Sequence, residues 1–153
     1  MVSDITHLLI EYGAIEFGEF TLASGAKSSY YIDIKTAATR PGLLRAIGGE
    51  IAEHFSFDVV AGVAVGAVPI AVATALAADR PFAIIRQKQK EHGKAGAIIG
   101  DVAGKSVLLV EDVTTSGGSV IYGIEELEQG ATERLRREGV ELCPLVRASD
   151  ILK

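Results

Sequence analysis

The segment Val107-Leu108-Leu109-Val110-Glu111-Asp112-Val113-Thr114-Thr115-Ser116-Gly117-Gly118-Ser119 concentrates the chemistry of this chain. Two adjacent carboxylates, Glu111 and Asp112, end a fully apolar run. A loop of Thr, Ser and Gly follows and leads into a helix expected from about residue 118. Hydroxyls and unencumbered backbone N–H groups at a helix N-terminus make a phosphate site through donor geometry and the helix dipole. The carboxylates cannot bind that anion, but they suit the vicinal diol of an attached sugar. A diol on Glu111 and Asp112, with a 5′-phosphate on Thr114, Thr115, Ser116, Gly117, Gly118 and Ser119, describes a ribose phosphate. The plainer reading is a strand-to-helix turn with Thr114 as its cap. It leaves two acids beside an apolar layer without a partner, which is costly. Other phosphate motifs fail. Gly25-Ala26-Lys27-Ser28 lacks the Gly-Lys step and the spacing of a P-loop. No Gly-x-Gly-x-x-Gly follows a strand, so a dinucleotide site is not supported.

A second polar cluster has the opposite sign. Residues 87–96 carry Lys88, Lys90, His92 and Lys94 among polar neighbours and two glycines, with no apolar anchor, so an exposed loop is expected. By composition it reads as a solvated basic loop. In a chain of net charge −5 it is also the obvious partner for a diphosphate. The remaining singletons are weaker: His7 and His54 fall on expected helices as surface or satisfied residues, and Cys143 reads as a small packed hydrophobe.

Elements must position these groups. Ile5, Leu8, Leu9 and Tyr12 give residues 3–12 one apolar helical face, capped by Ser3 or Asp4 and stopped by Gly13. Residues 17–23 and 29–34 read as two strands of a hairpin. Pro41 opens a helix with a stripe of Leu44, Ile47, Ile51 and Phe55. Beyond it, short apolar runs at 58–63, 82–86, 97–102, 106–110 and 140–146 alternate with helical or loop segments. The run at 106–110 is the cleanest candidate for a central parallel strand. Val120, Ile121, Ile124 and Leu127 form the inner face of the helix that follows the acids. Strands alternating with helices imply an α/β fold with a mainly parallel sheet flanked by helices. Ligands of such sheets bind outside the carboxyl ends of the strands.

Composition bounds the reading. The 153 residues suit one domain, and 48% hydrophobic with 23% charged residues is ordinary for a globular chain. The acidic balance gives no basic nucleic-acid surface. One cysteine allows no internal disulfide, no Cys/His cluster offers a zinc site, and the absence of asparagine leaves no glycosylation sequon. The first twelve residues lack the basic-then-apolar layout of a signal peptide, so a cytoplasmic location is expected. From Val59 to Ala78 run 20 uncharged residues, long enough to cross a bilayer. They are mostly Val, Ala and Gly interrupted by Pro69, and read better as strand, glycine loop and helix.

With these residues in view, the chain resembles the type I phosphoribosyltransferases: 111–119 is similar to their signature for phosphoribosyl diphosphate (PRPP). Three segments narrow the resemblance to the orotate phosphoribosyltransferases. Phe17-Gly18-Glu19-Phe20-Thr21-Leu22-Ala23-Ser24-Gly25 with Lys27-Ser28-Ser29-Tyr30-Tyr31-Ile32-Asp33 resembles the amino-terminal hood over the base. Gly62-Val63-Ala64-Val65-Gly66-Ala67-Val68-Pro69 resembles the diphosphate loop, and Arg86-Gln87-Lys88-Gln89-Lys90-Glu91-His92-Gly93 the mobile catalytic loop. The resemblance implies one phosphoribosyltransferase domain over 1–153, with a hood from about 1–40 plus the carboxy-terminal segment and a PRPP-binding core at about 41–138. It implies PRPP binding by Arg86, Lys90, His92, Glu111, Asp112, Val113 and the loop Thr114 to Ser119. Catalytic roles fall to Asp112, Lys90 and His92, and orotate contacts to Thr115, Lys27 and Tyr31. Mg²⁺ is expected to arrive on the diphosphate rather than in a protein cage. A homodimer sharing its mobile loop between subunits is expected too, with no nucleic-acid or membrane partner.

The chain also departs from that pattern. Ala23 stands where some relatives carry lysine, and Gln87 where a lysine often follows the loop arginine. More seriously, Glu128-Gln129-Gly130-Ala131-Thr132-Glu133-Arg134-Leu135 has no apolar run and no Asp-Arg pair, which the family uses to hold the carboxylate of orotate. The chain is one strand short of that pattern. Residues 140–146 are the candidate to fill the edge, and Arg134 and Arg147 are candidate substitutes for the arginine. Arg134, Arg136 and Arg137 also read simply as a solvated helix face. The expected activity is transfer of ribose 5-phosphate from PRPP to orotate, giving orotidine 5′-phosphate and diphosphate. The alternatives are a transferase for another base and a non-catalytic PRPP-binding regulator of the same fold.

Overall fold

The computed structural model describes residues 2–22, 24–87, 96–113, 122–124 and 127. Helix α1 (Val2–Glu11) buries Ile5 and Leu9. It begins earlier than expected, so Asp4 lies inside the first turn, where its charge suits the helix dipole, rather than at the cap. Gly13, at φ +68°, lets the chain reverse so that Ala14 N–H reaches the Leu9 carbonyl at 2.8 Å. Strands β1 (Ile15–Thr21) and β2 (Lys27–Ile32) then form an antiparallel hairpin, with Ile15 opposite Ile32 and an irregularity between Phe17 and Phe20.

The chain does not continue extended to Ile34, as the sequence pattern implied. Asp33 instead caps a single helical turn, α2 (Ile34–Ala37), accepting from Thr36 N–H at 3.1 Å and from Thr36 Oγ1 at 2.6 Å. Helix α3 (Pro41–His54) opens on its proline as expected, but its fully buried stripe is Leu43, Ile47, Gly48 and Ile51, with Leu44 only half-buried.

The 20 uncharged residues divide as strand, turn and helix: β3 (Val59–Val63), buried throughout, then α4 (Val68–Ala78) with its proline in the first turn. At about 1.5 Å per residue α4 is far shorter than a bilayer. No described helix is long and apolar enough to cross a membrane. Strands β4 (Phe82–Ile85), β5 (Ile98–Ile99) and β6 (Val107–Val110) complete a four-stranded sheet of order β5-β4-β3-β6. Strands β4 and β6 run parallel to β3, and β5 runs antiparallel to β4. Among the described strands β3, not β6, is therefore enclosed on both sides by parallel partners. The last expected strand, 140–146, lies outside the described residues.

The sheet buries both faces. Val60 and Val110 pack with α1, α3 and α4, while Val59, Ala61, Val63, Ala83 and Ile85 pack with Val102 and Leu127. Residues 122–124 and 127 are helical, and Gly123 lies against Val63 and Leu109. Register is pinned at the amino ends of two strands, where Asp58 Oδ2 accepts from Ser106 N–H at 2.9 Å and Asp58 N–H donates to Ser106 O at 3.0 Å. Helices α3 and α4 touch at Gly48, where a Cβ would lie 2.6 Å from the Ala73 carbonyl carbon and oxygen. Gly48→Ala must push these backbones apart and is expected to lower stability by about 1–3 kcal/mol in urea denaturation. An unchanged midpoint would contradict this packing.

Candidate active site

Because β3, β4 and β6 are parallel, their carboxyl ends share one edge of the sheet, and the turns after Val63, Ile85 and Val110 open there. The acids follow β6 directly. Asp112 is nearly enclosed, with a side chain 9% exposed, and its Oδ2 lies 3.2 Å from Lys35 Nζ. The turn after β3 abuts the same carboxylate: a Cβ on Gly66 would sit 2.7 Å from Asp112 Cγ. Only a residue without a side chain lets the two loops approach this closely. Asp112 N–H donates to Glu111 Oε1 at 3.0 Å.

Two acids so close cannot both ionise freely. Burial, then the hydrogen bond with Asp112, pushes the Glu111 carboxyl up to about 7. Burial also opposes the charge of Asp112, but the hydrogen bonds from Glu111, Val113 N–H and Lys35 outweigh it and hold that carboxyl below its usual range. The pair thus carries one firm negative charge, on Asp112, and one proton held by Glu111 until about neutrality. Such a site accepts hydroxyl hydrogen bonds and favours developing positive charge.

The root of the basic loop sits at the same edge. Ile85 O accepts from Ala64 N–H at 2.8 Å, Arg86 N–H donates to Ala97 O at 2.7 Å, and Tyr122 Oη donates to Arg86 O at 2.6 Å. Arg86 is therefore fixed through its backbone to Ala97, just before β5, and to the helix after the acids. Lys90 and His92, and Thr114, Thr115, Ser116, Gly117, Gly118 and Ser119, lie outside the described residues, as do Arg134, Arg147 and Cys143. Val113 is exposed. In the hairpin, Lys27 Nζ donates to Thr21 Oγ1 at 3.1 Å, and the exposed Tyr31 ring lies 5.7 Å from that of Phe20. His7 and His54 are exposed, the latter with Nδ1 2.8 Å from Glu50 O. The structure joins Glu111 and Asp112 with Lys35 and Gly66, and Arg86 with Tyr122. Lys35 and Tyr122 escaped the sequence reading. The Asp33-x-x-Thr36 spacing, a helix-cap signal, could have revealed the turn that carries Lys35.

The proton on Glu111 has a measurable consequence. Its carboxyl titrates higher in the folded chain than the usual 4.5, so its contribution to stability is complete below about pH 4.5 and is lost as pH rises to about 7. Asp112 is shifted the other way, and its contribution is lost only in acid, outside that window. Melting temperature should therefore fall between about pH 5 and 7 in the unsubstituted chain relative to Glu111→Gln. Parallel melting curves for the two proteins would contradict the assignment.

The family model "Phosphoribosyl transferase domain" matches residues 38–140. An orotate phosphoribosyltransferase of Methanoculleus marisnigri is 59% identical over 168 aligned positions, covering 99% of each chain. Those 168 positions exceed the 153 residues here, so at least 15 of them have no counterpart in this chain. The break expected at 128–135 lies outside the described residues. The crystal structure of the Aeropyrum pernix orotate phosphoribosyltransferase superposes with a TM-score of 0.76 at 29% identity, covering 97% of this chain and 96% of that one. The Mycobacterium tuberculosis enzyme in complex with PRPP superposes with a TM-score of 0.68 at 26% identity, covering 86% and 76% respectively. With a full-length relative at this identity and the parallel-sheet core in place, the chain belongs to the orotate phosphoribosyltransferase family, within the type I phosphoribosyltransferase fold.

Proposed function

We propose that this chain transfers ribose 5-phosphate from PRPP to N1 of orotate, giving orotidine 5′-phosphate and diphosphate in the synthesis of UMP. The observation that carries this reading is the acid pair closing β6, with Asp112 held charged by hydrogen bonds from Glu111, Val113 N–H and Lys35 beside a partly protonated Glu111. The pair accepts the ribose hydroxyls and offsets positive charge as it develops at C1. The C1–O bond breaks with its electron pair leaving on diphosphate. N1 of orotate supplies the pair for the new C1–N bond and gives up its proton. Thr114 to Ser119 hold the 5′-phosphate, with Thr115, Lys27 and Tyr31 towards the base. Arg86, Lys90 and His92 hold the diphosphate, and Lys90 and His92 neutralise or protonate its departing oxygen.

Magnesium bound to the diphosphate would lower the charge that Arg86, Lys90 and His92 must offset. Among the described residues no three His, Cys, Asp or Glu gather to cage a metal. The hood of about 1–40 with the carboxy-terminal segment, and the core of about 41–138, are the working parts. The unit works in the cytoplasm as a homodimer, and an apolar side chain left at the surface, Leu76 at 79% exposure, is in keeping with the dimer.

Full-length protein given PRPP, Mg²⁺ and orotate should consume PRPP only when orotate is present. Asp112→Asn should lower turnover by about 100-fold or more, the scale of losing one preorganised electrostatic contact, with a much smaller effect on melting temperature. Equal losses in turnover and stability would make Asp112 structural. Absence of orotate-dependent turnover in the unsubstituted chain would overturn the proposed reaction.

A further inference from the structure

Lys35 stands outside every motif that drew attention to the chain, yet it meets the buried acid of the site. Its place is set by local chemistry. A four-residue helix cannot persist on its own, and α2 is secured at both ends. Asp33 accepts from Thr36 N–H and Thr36 Oγ1, Asp33 N–H donates to Ala14 O at 2.7 Å, and Ala38 N–H donates to Ile34 O at 2.7 Å. Ile34 and Ala37 are buried on either side of Lys35. The turn therefore leaves the hairpin at a fixed angle and sends a flexible side chain across to β6. That side chain is 63% exposed while its partner carboxylate is 9% exposed. An ion pair so open to water contributes little to stability, so its consequence lies in where it holds Asp112.

We propose that Lys35 is a positioning residue for this transferase: from the turn after the hairpin it orients the Asp112 carboxylate toward the ribose hydroxyls of PRPP and ties the hood to the PRPP site. The inference rests on the function proposed above and adds a residue to it. The geometry also fixes the direction of the constraint. Gly66 closes one side of the carboxylate, and Lys35 engages Oδ2 from another, so the acid has little freedom to rotate. An oxygen accepting from an ammonium still has a lone pair for a hydroxyl. A carboxylate already aimed loses less freedom when the sugar arrives.

Lys35→Met and Lys35→Arg in the full-length chain test this directly. With Lys35→Met, PRPP affinity measured calorimetrically without orotate should fall about tenfold, the scale of one charge-assisted contact. Its KM for PRPP should rise while its KM for orotate holds, and the melting temperature should stay close to that of the unsubstituted chain. Lys35→Arg should restore most of the PRPP affinity, since it returns a cation to the same turn. Unchanged PRPP affinity in folded Lys35→Met overturns the proposal. So does a melting temperature that collapses in Lys35→Met and recovers in Lys35→Arg with no change in PRPP affinity. The calorimetric comparison stands apart from turnover: a chain that binds PRPP but leaves orotate untouched overturns the proposed reaction, while the two variants still decide Lys35.

Discussion

A single charge, buried at the end of β6, organises this molecule. An ionised carboxylate removed from water costs several kcal/mol unless it is paired and hydrogen-bonded, and the Asp112 side chain is almost wholly enclosed. Three separate parts of the chain meet that requirement. The turn after the hairpin brings Lys35, the neighbouring Glu111 accepts from the backbone and carries the proton, and the turn after β3 gives way at Gly66. A Cβ at Gly66 would displace the acid, and without Lys35 its Oδ2 would lose the contact that aims it. The hood, the first turn of the core and the end of β6 are thereby held to a common geometry.

The sheet makes this convergence possible. Parallel pairing of β3 with β4 and β6 brings three loop-bearing ends together without any long-range fitting. The register that aligns Gly62 with Val110 is set at the far end by Asp58 and Ser106. Apolar residues alternate between two buried faces, so a slip by one residue would exchange the two cores. Arg86, at the same edge of the sheet, lies beside the helix that follows the acids, where Tyr122 Oη reaches its carbonyl. Opposite charges are kept on different loops, with the acid pair after β6 and the basic segment after β4. In the proposed reaction this separation lets the diphosphate be neutralised without cancelling the charge proposed to hold the sugar.

Much of this was legible in the sequence, for physical reasons. Fully apolar runs such as Val59–Val63 and Val107–Val110 announce parallel strands, and proline marked the openings of α3 and α4. The adjacency of Glu111 and Asp112 after such a run pointed to the acid pair that closes β6. Pattern failed where a single hydrogen bond outweighed it. Ile34 continued an extended pattern, but the Asp33 cap turned the chain into α2, and with that turn came Lys35. The buried stripe of α3 includes Leu43 and Gly48 where the pattern had Leu44 and Phe55, because a glycine at the contact with α4 carries no apolar side chain to mark it. Tyr122 was invisible because its partner is a backbone carbonyl 36 residues away, and no side-chain pattern encodes such a bond.

The proposed chemistry of this site rests on the acid pair reading a sugar diol. Its most direct test is the calorimetric affinity of the full-length chain for ribose 5-phosphate against 2-deoxyribose 5-phosphate. The two ligands share a phosphate and differ by one hydroxyl. If Glu111 and Asp112 hold the diol, the ribose compound binds roughly 10–100-fold more tightly, the scale of a hydrogen bond to a charged group. Equal affinities would contradict the account, leaving the phosphate alone to hold the ligand.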